Sequence, residues 1–318
     1  MSMVDEGKEK SLRSQLIAWI KLFRIPFVIG PGILPFSLGS LLALHAIPAL
    51  NWPVFVIGNG GVVTILLVAF LLNEYFDYTT DLHNRDFNRY SGGSRILPSG
   101  IIRREAVLIV IAVLIAITLL VGLVLQWGYH TGRLTLVLGG LGFLAGVFYT
   151  ASPLRGSYRG VGELLIGISC GWLTLGAGYY LQTGRISLEV SLLSVPLVWS
   201  ITAVILINEF PDYLSDKMDN KKTLVVRLGD TGAAQLYMLL LVLTFVSIMS
   251  NLIILPRAYL WYNLGMLGAI PLVVKNILAM KAHLYRDKKI LEKICGRTAL
   301  LHLSLSGVPL IIVSISRL

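Results

Sequence analysis

The sequence predicts an all-α, polytopic membrane protein of nine transmembrane helices around a central cavity, and three observations carry that prediction. Hydrophobic residues fill 55% of the 318 positions and charged residues only 14%, against roughly 25% charged in an average soluble domain. Mean hydropathy is +0.77, and the apolar residues fall in runs near the ~20 residues a helix needs to cross bilayer hydrocarbon. Basic side chains collect in alternate connections between those runs, the asymmetry that orients a membrane chain.

Taken in order, residues 1–24 are polar and basic and lack a small-residue cleavage site after a short apolar core, so no signal peptide is expected. The amphipathic run Leu12 to Phe23 is expected to lie on the membrane surface as a cytoplasmic, interfacial segment. One domain is expected over 25–318, with spans at about 25–47, 53–76, 104–126, 134–150, 160–182, 189–211, 233–255, 258–280 and 298–316. The fourth is short and rich in glycine. With the N-terminus cytoplasmic, 23 of the 27 Lys and Arg residues fall on one side, leaving Arg133, Arg185, Arg257 and Arg317 on the other. A span more or fewer in the middle would scramble that split. The net charge of +10 therefore reports orientation in a membrane, not nucleic-acid binding. Cys170 and Cys295 give no disulfide or zinc framework, and the five histidines (45, 83, 130, 283 and 302) are scattered, so no histidine metal site is expected.

Spans two and six close on the same pattern. Asn73-Glu-Tyr-Phe-Asp77-Tyr-Thr-Thr-Asp81 recurs as Asn208-Glu-Phe-Pro-Asp212-Tyr-Leu-Ser-Asp216. Asn, Asp and Asp at i, i+4 and i+8 share one helix face. Acidic groups in hydrocarbon cost on the order of 2.5–3.5 kcal/mol each, so they are expected to lie near the interface, to face a cavity or to bind cations. The predicted topology puts both stripes on the cytoplasmic side, where they repel unless cations lie between them. Hard oxygen ligands suit Mg²⁺, whose shell is commonly completed by water and substrate phosphate. The pattern thus predicts two or more Mg²⁺ ions holding a diphosphate, with Asp77, Asp81, Asp212 and Asp216 as ligands and Asn73 and Asn208 lending amide oxygens or orienting the shell.

Basic residues gather at the same face: Arg85, Arg89 and Arg95 after the first motif, Lys217, Lys221, Lys222 and Arg227 after the second, and Arg155 and Arg159 between spans four and five. Guanidinium and ammonium groups beside such carboxylates suit a metal-bound phosphate. Most are also explained by topology alone, the run Arg286 to Lys293 above all. Arg24 stands at the mouth of span one, placed to point inward or to snorkel outward. Glu163, near the start of span five, is expected to pair with Arg159 four residues earlier. Pro211 should bend or break span six beside its acidic residues. Gly167, Gly171, Gly176 and Gly178 are expected to serve close helix packing.

The paired motifs, the nine spans and Tyr149-Thr-Ala-Ser-Pro-Leu-Arg155 together resemble the UbiA superfamily of intramembrane aromatic prenyltransferases, from Lys21-Leu-Phe-Arg-Ile-Pro to the last span. That resemblance implies a helical bundle with a cytoplasmic-side cap in the inner cell membrane, an active site near the cytoplasmic face, and Mg²⁺-dependent transfer from a polyprenyl diphosphate to an aromatic acceptor. It implies Asp77, Asp81, Asp212 and Asp216 as the catalytic metal ligands. Arg155, with Arg24 and Lys217 as further candidates, would stabilise the diphosphate. Where the family often has Gly-Lys-Arg-Thr, this chain has Asn220-Lys221-Lys222-Thr223, a mild departure because Asn tolerates left-handed backbone. Asn208-Glu-Phe-Pro-Asp212 followed by Lys222-Thr-Leu-Val-Val-Arg-Leu-Gly229 is most similar to the 1,4-dihydroxy-2-naphthoate branch of menaquinone synthesis; branches using 4-hydroxybenzoate, homogentisate or tetrapyrroles share much of the pattern. No protein partner is inferred. Two rivals make different predictions. A cation-coupled transporter needs acids near the midplane, and a terpene cyclase or lipid prenyltransferase would act without an aromatic acceptor.

Overall fold

The computed structural model describes the backbone of residues 3–316 and side chains from 13 to 315. Arg317, counted above on the outer face, and the first two residues of the N-terminal segment lie outside the described residues. Among those described, secondary structure is helical without strands. Helix α1 (Met3–Leu22) leads into α2 (26–42), which contains a π-helical turn at Ile29–Ile33. Then come α3 (Trp52–Phe76), the short α4 (Tyr78–His83), α5 (Arg104–Gly128), α6 (Thr135–Thr150) and α7 (Gly162–Thr183). They are followed by α8 (Leu188–Asn208), the short α9 (Tyr213–Met218), α10 (Leu224–Ile254), α11 (Leu260–Leu267), α12 (Ile270–Lys281) and α13 (Lys288–Ser316).

Among the described residues, seven helical stretches are long and apolar enough to cross a membrane, with α1 and α2 counted together from Arg13 to His45. An eighth is added if Arg257–Leu267 and Ile270–Lys281, bent by 43° at their junction, form one span. The predicted fourth span is the 16-residue α6, about 24 Å long at the helical rise and shorter than the ~30 Å hydrocarbon core. Burial separates inner from outer helices. α8 has 72% of its most apolar window buried, whereas α5 has 11%, so α8 sits in the core and α5 turns most of its Val, Leu and Ile side chains outward. α1 uses Ala18 and Leu22 to dock against Val68 and Leu71 of α3 and Val107 of α5, leaving Leu16, Ile17 and Ile20 exposed.

Small residues set the closest helix approaches. A Cβ on Gly178 of α7 would collide with the backbone of Phe36, and one on Gly171 with the backbone of Val198 on α8. Gly167 meets Thr202 in the same way, whereas Gly176 faces open space and makes no such packing. Helix α8 runs unbroken through Pro196 but stops at Asn208, and Pro211 lies in the turn that separates it from α9, as its missing N–H requires.

Candidate active site

Neither acidic motif is one continuous helix. Asp77 ends α3 with φ −86° and ψ 6°, and α4 starts at the next residue. The hydrogen bonds four residues apart survive the break, Asp77 N–H to the Asn73 carbonyl and Asp81 N–H to that of Asp77, both 2.8 Å. Asn73, Asp77 and Asp81 therefore stay on one stripe. In the second copy Asp212 is the N-cap of α9, and its own N–H reaches only three residues back, to Glu209 at 3.1 Å. Asp216 N–H bonds the Asp212 carbonyl at 2.8 Å.

The two stripes face one another across the mouth of a cavity of about 480 Å³. Asn73, Asp77, Asp81, Asn208, Asp212, Asp216 and Arg24 all line it; Arg155 and Lys217 do not. Lys221, from the loop after α9, joins the stripes. Its Nζ is 2.9 Å from Asp77 Oδ2 and 3.6 Å from Asp216 Oδ1. Asn84 joins them a second time, donating Nδ2 to Asp212 Oδ1 at 2.7 Å, while Gly92 N–H approaches the other oxygen at 3.3 Å. Asn73 Nδ2 and the Tyr158 hydroxyl both donate to Asp77, at 2.8 and 2.9 Å.

The charges strain against one another. Burial, then the Asp77 and Glu74 carboxylates, push Asp81 up to about 8. Asp216 is pushed up to about 7 by burial, with Asp212 and Asp77 adding to the rise and Lys221 opposing it. Burial by itself would lower Lys221, but Asp77 and Asp216 outweigh it and hold the ammonium charged. Lys221 thus stands among four carboxyls that are poorly hydrated, and a further positive charge between them would be favourable. Three buried oxygens beside the second motif, Asn208 Oδ1, Glu209 Oε2 and Asp216 Oδ1, accept no hydrogen bond. Oxygen donors of this type fit Mg²⁺. Among the described residues no three Asp, Glu, His or Cys side chains converge as a ready-made cage, so ions here need ligands from water or substrate as well.

The remaining candidates have different surroundings. Arg24, at φ 50°, stacks over Phe27 and Phe70 and lies 3.9 Å from Glu74. Glu74 is pinned by the Ser94 N–H and hydroxyl at 2.6 and 2.7 Å. Arg155 is exposed and in left-handed backbone, its guanidinium 3.8 Å from the centre of the Tyr158 ring. It touches Asp77 only through that tyrosine. Lys217 points to the Tyr213 ring, 5.7 Å away. Glu163 does not pair with Arg159 as the four-residue spacing predicted. Its Oε1 accepts from Leu224 N–H at 2.7 Å, and its carboxyl faces that of Glu209. Asn220 takes the left-handed conformation, φ 55°, that lets the loop turn and aim Lys221 inward. Tyr158 and Asn84 carried no signal in the sequence; Lys221 is the second residue of the segment compared with Gly-Lys-Arg-Thr.

Comparison with known proteins agrees with this geometry. Residues 33–301 match the model of the UbiA prenyltransferase family. A 1,4-dihydroxy-2-naphthoate octaprenyltransferase of Escherichia coli (strain K12) is 31% identical over 67% of this chain and 70% of its own. The protein of the same name from Bacillus subtilis (strain 168) is 26% identical over 66% of each. Among solved structures, a UbiA homologue from Archaeoglobus fulgidus bound to GPP and Mg²⁺ aligns with TM-score 0.62 over 92% of this chain and 99% of that one, at 15% identity. An apo homologue from Aeropyrum pernix K1 gives 0.63 over 94% and 98%, at 16% identity. With both acidic motifs brought to one cavity inside a bundle of apolar helices, the chain belongs to the UbiA prenyltransferase family and is an integral membrane prenyltransferase.

Proposed function

We propose that this enzyme transfers a polyprenyl group from its diphosphate to 1,4-dihydroxy-2-naphthoate, with Mg²⁺ as cofactor. The observation that carries the reading is the meeting of two Asn-Asp-Asp stripes over one largely apolar cavity, bridged by a single ammonium. The relatives named for that acceptor, and the homologue solved with GPP and Mg²⁺, support it.

Asp77, Asp81, Asp212 and Asp216 would hold the ions, with Asn208 Oδ1 as a further oxygen and Asn73 fixing Asp77. When bound, the ions would neutralise charge building on the departing diphosphate. Lys221 is placed to leave the carboxylates and meet diphosphate oxygens, and Arg24 to do so from the cavity mouth. Arg155 acts at one remove, holding Tyr158 and so Asp77; Lys217 is left to topology. The wall formed by Ile65, Leu66, Gly142, Gly146, Ile201 and Val204 would take the isoprenoid and keep water from the allylic cation. In the membrane the chain would form nine spans with the N-terminus and the site on the cytoplasmic side, capped by the loops that carry Arg95, Tyr158 and Lys221.

Purified protein in detergent, given Mg²⁺, a labelled polyprenyl diphosphate and a panel of acceptors, tests this. Asp77→Ala or Asp212→Ala should abolish transfer while the protein stays monodisperse. Turnover near wild type in either variant rejects the ligand assignment, and transfer only to a lipid alcohol, or product without any acceptor, rejects the aromatic one.

A further inference from the structure

Among the described residues four cationic side chains are half-buried: Arg24, Arg95, Lys221 and Arg297. Three of them have partners within the chain. Lys221 meets Asp77 and Asp216, Arg24 meets Glu74 and two phenylalanine rings, and Arg95 donates to the Asp81 carbonyl and stacks on Phe87. Arg297 has none. Its Nε is packed away from solvent and donates to nothing, and no carboxylate of the described residues lies within ion-pair distance. The Tyr237 hydroxyl, near enough to feel its charge, is already bonded to Thr298 and Asn276 at 2.6 and 2.9 Å. With Nε packed in, the two Nη groups form the exposed end of the guanidinium. Fixing topology needs a charge in a loop, not one held against the bundle. A charge beside hydrocarbon is costly unless something neutralises it, and an arginine there without a protein anion calls for one from outside.

The rest of that helix face tells which anion it is. Arg297 follows Lys288, the first residue of α13, by about 14 Å at the helical rise. Lys293, four residues before Arg297, is exposed on the same face. Like charges at that spacing repel unless an anion lies between them. Further along the face come Leu300, Val308 and Ile311, exposed by 52%, 39% and 59%, and Ser304, whose hydroxyl donates to the Leu300 carbonyl at 2.8 Å. One face of α13 thus offers two cations and, beyond them, an apolar strip. A free phosphate would use the cations alone, whereas a lipid with a charged head uses both. We propose that Lys293 and Arg297 bind the phosphate of an anionic phospholipid whose acyl chain lies along Leu300, Val308 and Ile311. The Nη groups give the phosphate oxygens charge-assisted hydrogen bonds and the ammonium adds a second positive charge. The site stands apart from the acid stripes and does not depend on which acceptor the enzyme prenylates.

The full chain, purified in detergent, is titrated with phosphatidylglycerol or phosphatidylcholine, bound lipid being read by native mass spectrometry and stability by thermal melts. Wild type should bind phosphatidylglycerol the more tightly and melt higher with it. Arg297→Gln should weaken phosphatidylglycerol binding about fivefold or more, the worth of one basic residue at a charged lipid surface. Lys293→Gln should weaken it by less, and Arg103→Gln, which removes an exposed cation at the start of α5, should leave it unchanged. With phosphatidylcholine alone Arg297→Gln should melt at or above wild type, because a charge without a counterion has gone. Equal loss of stability in both lipids would show that the arginine serves the packing of the chain, and would overturn the proposal. If Arg297→Gln does not fold, Lys293→Gln decides, and a lipid preference unchanged there overturns it. Inorganic phosphate that stabilises as well as phosphatidylglycerol at equal concentration rejects the acyl contact and with it the lipid. Donor KM in phosphatidylcholine should stay within about twofold of wild type in Arg297→Gln; a larger rise would put the polyprenyl diphosphate itself on these cations and reject the phospholipid.

Discussion

At the residue scale the decisive contact is Lys221, partly buried between Asp77 and Asp216. A lone ammonium among four carboxyls competes with any ion that binds there, and the same group suits a diphosphate once the ions take over the carboxylates. Lys221→Met should thus move two affinities in opposite directions. Mg²⁺ binding without substrate should tighten, since a competing charge is gone, whereas KM for the polyprenyl diphosphate should rise about tenfold or more, the loss of one charge-assisted contact. Calorimetric titration with Mg²⁺ and steady-state kinetics at saturating acceptor read the two. Weakening of both would mean that the lysine merely holds the loop in place. The four aspartates are legible in the sequence because they repeat; Lys221 is legible there only as one of several basic residues suited to a phosphate, because one lysine in a basic loop is indistinguishable from a topology signal.

At the scale of elements, the acid stripes depend on two helix ends and the loops that cover them. The segment from Tyr149 to Glu163 and the segment from Lys217 to Leu224 hold each other: Lys222 N–H reaches the Tyr158 carbonyl at 3.3 Å, and Glu163 Oε1 takes the Leu224 N–H at 2.7 Å. Leu224 starts a short helical stretch that breaks at Gly229, φ 69°, before the long part of α10, so its N–H has no partner of its own kind. Glu163→Ala should leave that donor buried and unpaired, lowering stability in detergent by about 1–3 kcal/mol. Donor KM should rise with it, because Lys221 rides on the same loop. Glu163→Gln keeps the acceptor oxygen and adds a donor for Glu209, and thermal melts should place it near wild type. Equal melting of the alanine and wild-type proteins would show that the contact contributes nothing. The spacing to Arg159 predicted a different partner for this glutamate. Four-residue spacing brings side chains together only on a helix, and Gly156–Tyr158 forms one short 3-10 turn before α7 begins at Gly162. The break at Pro211 was legible because its cause is local; the exit from helix at Asp77, with no proline or glycine, was not.

For the molecule as a whole, the alternation of long apolar runs with basic loops gave the helix positions closely, and the fold needed little else. What it left open is α6. At 16 residues, with glycines at 139, 140, 142 and 146, it can cross only where the bilayer thins or where its ends lie in protein; the cost is fractions of a kcal/mol per ångström of mismatch. The loop charges supply the reason to expect crossing: Arg133 precedes α6 and Arg155 and Arg159 follow it, and only a span puts the pair on the side that carries most of the basic residues. Both native cysteines are buried, so single cysteines placed at the exposed positions Arg133, Arg159 and Arg185 report sidedness against a quiet background. In intact cells a membrane-impermeant maleimide should label Arg133→Cys and Arg185→Cys, and should reach Arg159→Cys only after permeabilisation. Labelling of all three from one side would make α6 a re-entrant segment and remove it from the count. Because α6 contributes Leu138, Gly142, Gly146 and Tyr149 to the cavity wall, that outcome would also bring the aqueous face closer to the isoprenoid, and the exclusion of water from the allylic cation would have to come from the substrate itself.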